Sequence, residues 1–432
     1  MDNISTIFSD KLRLLHSNSD MEKHYYGAKL CLLDYLSCLL GGKGYYQQTL
    51  YLEEIGGNTL TNALRYGLYS HVLELDDGHR KGAVHVGSTV FSALLAEAER
   101  KQMSSSDFLL GVMVGYEATV QLACAVQPGN KLRGYHATGT CGTVGAALGI
   151  AAALHYKEEQ INTTLAAAVA GAAGVLEMQE DDSDLKPYNV GRAAMDAVAA
   201  AYIGRSGMKG PKDAIGGKRG FLKVMTDEPH PEYLTDFTSK TLCIEQVYQK
   251  VYAACRHAHP AIEAALALRD EIAIDEIEHI KVQAYKLAVA GHDHKTVSSI
   301  SSAKMSIPFS VAVALIKGDA GLQAFTEETV LDRRILDLAQ KVDVVEDELL
   351  TAQSPAKRAS IVVIQTSKGT YTKQVDYPKG EPENPLSKEE LEEKFRGLAM
   401  YGGLTMEECD VVIEEIWKDE FSIEKIMKII CK

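Results

Sequence analysis

Apolar and polar positions along the chain fall into two regimes. In the first half, apolar residues recur three and four apart. The segment YGAKLCLLDYLSCLLGG from Tyr26 predicts a helix that stops at Gly41-Gly42. SDFLLGVMVGYEATVQLACAV predicts a second helix, capped by Ser106 and apolar nearly all round. KEEQINTTLAAAVAGAAGVLEM and GRAAMDAVAAAYIG continue in this style, and their small residues allow close helix packing. The Ala-rich LAAAVAGAAGVL from Leu165 suits a helix buried among others.

After Phe221 the pattern changes. EIEHIKVQAYKLAVAG from Glu276 contains a β-like run, and ASIVVIQTSKGTYTKQVDYP from Ala359 reads as two strands joined at Ser367-Lys368-Gly369. Helices are expected around Ser310 to Lys317 and Glu327 to Lys341. Beyond the turn-rich PKGEPENPLS the helical period returns with KEELEEKFRGLAM and a helical tail. The expected architecture is mainly α: an all-α domain over 1–225 and 385–432, with a smaller α+β domain over 226–384.

Composition narrows the partners. The 432 residues are 46% hydrophobic and 24% charged, ordinary for a globular protein. No apolar run is read as reaching the roughly 18 to 20 residues of a membrane span. MDNISTIFSDK lacks the basic-then-apolar pattern of a signal peptide, so the expected location is cytoplasmic. The formal net charge of −14 argues against nucleic acid and anionic membrane as partners. The eight cysteines are scattered without a CxxC pair, so free thiols are expected.

Four stretches gather ionisable groups in apolar surroundings. HVLELDDGHRKGAVH carries His71, Glu74, Asp76, Asp77, His79, Arg80 and His85. RGYHATGTCGTVGAALG carries Arg133, Tyr135 and His136; DDSDLKPYNVGRAA carries Lys186 and Arg192. YQKVYAACRHAHPAIEAA carries Lys250, Cys255, Arg256, His257 and His259. A helix is expected to begin near Gly142, after His136, and another at Pro260, after His259. Helix N-termini attract carboxylates, and a histidine beside one can exchange a proton with the bound anion. Plainer readings stand beside these. Each histidine can be a capping residue, Asp76-Asp77-Gly78 a solvated turn, and the repeated glycines of TGTCGTVGAALG a sign of close helix packing. Those glycines fit neither a dinucleotide fingerprint nor a P-loop. His257/His259 and His292/His294 are HxH pairs, but no spacing supplies further ligands, and metal binding is not expected.

In this order the stretches resemble the MmgE/PrpD family. The resemblance runs through HVLELDD, GYE, GYHATGTCGTVGAA, KPYNVGRAA, GxxGF, K-x-Y-x-x-C-x-x-x-H, SIPFSVAVALIKG, PENPLS and EEKF. It implies a large helical domain with an α+β lid, a homodimer, no metal or organic cofactor, and a small polycarboxylate substrate. Carried over by motif, the catalytic residues would be His85, His136 and Lys186. His136 would be the general acid/base, Lys186 the stabiliser of carboxylate or enolate charge, and His85 a second proton carrier. Glu74, Asp77, His79, Arg192, Lys250, His257 and His259 are the candidate substrate contacts.

The chain departs from dehydratase-like members where Glu74, Gly78, His79, Val86 and Phe309 replace Asp, Thr, Trp, Pro and Tyr, and in a shortened YYQQTLYLEEIGGN. The resemblance therefore implies proton transfer next to a carboxylate and leaves the substrate open. Three functions follow: a lyase that dehydrates or decarboxylates a di- or tricarboxylic acid, an isomerase or epimerase of a substituted succinate such as iminodisuccinate, and an inactive ligand-binding relative.

Overall fold

The computed structural model describes residues 3–16, 22–46, 57–179, 183–238 and 241–431, so most of the YYQQTLYLEEIGGN stretch lies outside it. The backbone forms two compact units. One comprises Met1–Glu180, Leu185–Tyr248 and Ser387–Lys432; the other comprises Asp181–Asp184 and Gln249–Leu386.

The first unit is helical. Its centre is the pair Ser105–Val126 and Ala137–Ala153, whose glycines face each other. A Cβ on Gly145 would lie 1.9 Å from Thr119 Oγ1, and one on Gly149 2.6 Å from the Gly111 carbonyl. The glycines let these backbones approach side by side. The Ser105–Val126 helix is capped by Ser104, two residues earlier than expected. It is long and apolar enough to cross a membrane, contrary to the estimate of apolar runs, and it is buried throughout within the unit.

Three helix boundaries differ from expectation. The Glu22–Tyr46 helix continues through Gly41-Gly42. There the missing Cβ of Gly42 admits the Tyr69 carbonyl, which would otherwise sit 1.8 Å from it. These glycines serve contact with the Thr59–His71 helix rather than termination. The Ala137–Ala153 helix starts five residues before Gly142, with His136 as its N-cap. Its threonines fit because Thr143 Oγ1 donates back to the Gly139 carbonyl at 2.7 Å. The Ala-rich helix ends at Gly171, and Ala170 is exposed, so this segment is only half buried. The C-terminal Lys388–Tyr401 helix packs on the Glu22–Tyr46 helix. Lys394 Nζ pins it there, donating to Asp34 Oδ1 at 2.6 Å and to the Leu75 carbonyl at 2.8 Å.

The second unit is built on a four-stranded sheet. Its strands are β1 (Ile277–Ala284), β2 (Val342–Glu346), β3 (Ser360–Thr366) and β4 (Gly369–Val375), in the order β2-β1-β3-β4. β1 pairs parallel with β2 and antiparallel with β3, and β3–β4 form the expected hairpin. Ile277, Ile280, Val282 and Ala284 of β1 are buried. The His259–Arg269 helix packs on β3 and β4, and the Ile307–Lys317 helix on β2. β2 was not expected; VDVVE is short and follows directly on the Arg333–Gln340 helix. The mainly α fold with one small sheet agrees with the sequence reading.

Candidate active site

In the first unit, the loop after the Thr59–His71 helix folds back to start the Gly87–Arg100 helix. It turns at Glu74, whose φ of +57° is costly for a residue with a side chain. Asp76 and Asp77 are 2% and 3% exposed, so the dipeptide is not a solvated turn. Asp77 Oδ1 accepts from the backbone N–H of Gly87 at 2.8 Å and of Val86 at 3.2 Å, capping the helix start. Its Oδ2 accepts from the Tyr116 hydroxyl at 2.5 Å. Burial pushes the Asp77 carboxyl up to about 7, against the pull of these donors. A Cβ at Gly78 would lie 2.4 Å from Tyr248 Oη, so this position has no room for a side chain as the loop stands.

Asp76 gathers the histidines. Its Oδ2 accepts from His71 Nδ1 at 2.7 Å and Ser88 Oγ at 2.6 Å, with His85 Nδ1 at 3.2 Å. His85 Nδ1 also meets the Asp77 carbonyl at 2.9 Å. All these partners of Nδ1 are acceptors, so both rings carry a proton there and present Nε2 as the basic nitrogen. His71 Nε2 is buried without a hydrogen-bond partner, and so is His136 Nδ1. The His71 ring lies edge-on to His85 at 4.7 Å between centroids and 6.2 Å from His136. Two imidazoles meet on one buried carboxylate, with the His136 ring beside the first of them.

Their charge states follow from burial. Desolvation lowers His136 well below the ordinary histidine value, and Lys186, His71 and His85 act in the same direction. Burial also lowers His71, outweighing the attraction of Asp76. Burial opposes ionisation of Asp76, but the charge and hydrogen bonds of His71 and His85 overcome it and hold the carboxyl well below its usual range. Asp76 is therefore ionised, and it is held by hydrogen bonds from His71, His85 and Ser88.

Lys186 opens the Lys186–Gly204 helix and pairs with Glu74. Arg192 is committed to structure. It donates to the carbonyls of Gly171 at 3.1 Å, Ala173 at 2.6 Å and Gly139 at 3.2 Å, and pairs with Asp196. The segment it clamps includes Gly174, whose carbonyl accepts from the His136 N–H at 3.0 Å. Arg192 therefore positions His136. His79 Nδ1 accepts from Gly82 N–H at 3.1 Å and sits 4.0 Å from Cys124 Sγ, outside the histidine cluster.

Lys250, His257 and His259 belong to the second unit. Lys250 and His259 are each 1% exposed. His259, the first residue of its helix, has Nε2 3.2 Å from the Ala254 carbonyl and its ring edge-on to Tyr252. His257 Nδ1 bonds the Tyr285 hydroxyl, and its ring stacks on His292 at 5.1 Å. Burial raises the Cys255 thiol, but the His292 ring 3.9 Å away, with Lys250 and the His257 N–H, brings it down to about 6. Phe309, where a tyrosine is usual in the resembled family, is fully buried beside Phe325.

Glu74, His85, His136 and Lys186, all named from the sequence, lie in the first unit; the sequence reading gave no role to His71, Ser88 or Tyr116. His71 lies five residues before Asp76, across a helix end, a spacing that signals nothing until the loop is folded.

Residues 51–234 match the MmgE/PrpD N-terminal domain, and residues 252–419 match the MmgE/PrpD C-terminal domain. The chain is 26% identical to cis-aconitate decarboxylase of Aspergillus terreus over 90% of its own length and 87% of that protein. Its identity to cis-aconitate decarboxylase of Homo sapiens is 24%, over 77% of this chain and 71% of the relative. Mitochondrial 2-methylcitrate dehydratase of Yarrowia lipolytica is 26% identical over 49% of the chain and 44% of the relative.

Proposed function

Since the chain belongs to the MmgE/PrpD family, we propose that it is a lyase that dehydrates or decarboxylates a small di- or tricarboxylic acid by moving a proton next to a carboxylate. The observation that carries this is the pair of buried, unpartnered imidazole nitrogens, His71 Nε2 and His136 Nδ1, beside the Asp76 carboxylate and Lys186. A buried neutral imidazole is a ready proton acceptor at neutral pH.

His136 takes the proton from the carbon adjacent to a substrate carboxylate, or returns one to it. The electron pair left behind spreads into that carboxylate as enolate-like charge, which Lys186 stabilises once the substrate draws it from Glu74. His85, its Nδ1–H held by the Asp77 carbonyl and Asp76, serves as the second proton carrier through Nε2. In dehydration His85 Nε2, having taken up a proton from solvent as the acid binds, gives it to the departing hydroxyl while His136 holds the proton taken from carbon. In decarboxylation the electron pair left as carbon dioxide departs takes a proton from His136, protonated in the same way. His71, locked by Asp76, completes the relay. The half-exposed apolar surface at Ala170, Val175 and Tyr188 supports a homodimer.

The test is a panel of cis-aconitate, 2-methylcitrate and related acids followed by ultraviolet absorbance and carbon dioxide release. At least one acid should gain or lose a conjugated double bond or release carbon dioxide. Silence across the panel would count against the lyase.

One second reading is an epimerase of a nitrogen-bearing succinate such as iminodisuccinate, for which the Glu74 carboxylate beside Lys186 offers an acceptor to a substrate N–H. That enzyme would wash deuterium into the α-position without elimination.

A further inference from the structure

Cys255, His257 and His292 lie in the second unit, and the lyase chemistry above uses none of them. Cys255 and His257 precede the His259–Arg269 helix, and His292 follows β1 across a short helical turn. One ligand atom from each of the three lies within 4.8 Å of the others. Cys255 Sγ and His292 Nε2 are 3.9 Å apart. Zn–S bonds of about 2.3 Å and Zn–N bonds of about 2.0–2.1 Å place neighbouring tetrahedral ligand atoms about 3.3–3.6 Å apart. The cluster thus needs only a small contraction to close on an ion.

The surroundings orient the ligands as metal sites require. His292 Nδ1 is 2.9 Å from the Met305 carbonyl, an acceptor, so it carries the proton and Nε2 presents its lone pair toward the sulfur. The fully buried Tyr285 holds His257 through its hydroxyl, and the His257 ring stacks on His292. All three ligand residues are half-buried.

We propose that Cys255, His257 and His292 form a binding site for a borderline-to-soft divalent cation, with zinc as its natural occupant and a fourth position open to water. The donor set selects the ion: one sulfur and two imidazoles suit zinc, cobalt or copper, whereas magnesium and calcium require oxygen ligands.

The test uses the purified full chain titrated with cobalt(II). One equivalent should produce a near-ultraviolet thiolate-to-cobalt band and the visible bands of a tetrahedral ion, both bleached by zinc and unaffected by magnesium. Cys255→Ser should abolish the thiolate band, and His292→Ala should weaken binding by about tenfold or more. Cys431→Ser, at the exposed C-terminal thiol, and His85→Ala, in the other cluster of possible ligands, should leave it unchanged. No thiolate band with the unmutated chain, a band that survives Cys255→Ser, or one removed by His85→Ala would overturn the proposal. A measurement on unmutated protein guards against a misfolded variant. Zinc, and not magnesium, should slow iodoacetamide labelling of Cys255, read by peptide mass; equal labelling with and without zinc would also overturn it.

Discussion

Asp76→Asn is the most informative single change, because one carboxylate oxygen organises three donors. It accepts from His71 at 2.7 Å and Ser88 at 2.6 Å and faces His85 Nδ1 at 3.2 Å. Asparagine keeps the shape but offers one acceptor and one donating amide. If the amide nitrogen takes that place, it opposes the His71 and His85 N–H groups, and a ring must change tautomer or turn away. If the carbonyl takes it, the amide nitrogen falls where Asp76 Oδ1 has no partner, and a buried donor is left unsatisfied. Either way the fold loses about 1–3 kcal/mol. Catalysis loses more. General acid/base work by an oriented imidazole is worth on the order of 10²–10⁴ in rate, or about 3–5 kcal/mol of transition-state stabilisation. The assay is steady-state kinetics with the best acid from the panel, alongside thermal melting to establish that the variant is folded. kcat should fall within that range while KM changes little, since Asp76 faces the histidines rather than a carboxylate. A folded variant with undiminished kcat would refute the reasoning that Asp76 sets the tautomers of the proton carriers.

Other expectations follow from the same geometry. Gly149→Ala would drive a Cβ to 2.6 Å from the Gly111 carbonyl at the centre of the helical unit, costing about 1–3 kcal/mol, read as a lowered urea midpoint. His71 and His136 are held below the ordinary histidine value of 6.5, so protons favour the unfolded chain. Stability should be full above that value and fall on acidification by up to about 1.4 kcal/mol per pH unit for each histidine, with His136→Gln flattening the slope in urea titrations. His71 and His136 are held below the ordinary histidine value, so a polycarboxylate bound beside them should be taken up with protons; calorimetry in buffers of different ionisation enthalpy would refute this by showing none. Arg192→Lys keeps the charge but cannot reproduce the guanidinium's fork of carbonyl contacts, and should lower kcat by loosening His136 more than it raises KM.

Periodicity exposed most of the helices, and the β3–β4 hairpin was plain from its alternation and its Lys368-Gly369 turn. Glycine misled it twice. Gly41-Gly42 reads as a helix end when only local propensity is weighed, but helix-to-helix contact makes the missing side chains useful inside a helix. The Thr138-Gly139-Thr140 run after His136 reads as preceding the helix, but the helix takes it in, with the Thr140 hydroxyl bonded back to the His136 and Ala137 carbonyls. At the site, residue type and order identified Glu74, His85, His136 and Lys186. The direction each side chain faces was not legible. Asp77 and Arg192 look like substrate contacts in a string of letters and become a helix cap and a clamp when folded. The Cys255–His292 contact spans 37 positions, beyond the reach of any local motif.

The central claim is that the His71–His85–His136 cluster moves a proton at a carbon beside a carboxylate. Proton NMR in deuterium oxide tests it most directly, with the best acid from the panel and His136→Ala as the comparison. If the acid is decarboxylated, the unmutated enzyme should place solvent deuterium on a carbon of the product; if it is dehydrated, the carbon beside the carboxylate should lose its proton to solvent. The variant should do either slower by on the order of 10²–10⁴. A decarboxylated product free of solvent deuterium, a dehydrated product that keeps the original proton on that carbon, or equal rates in the two proteins would contradict the account.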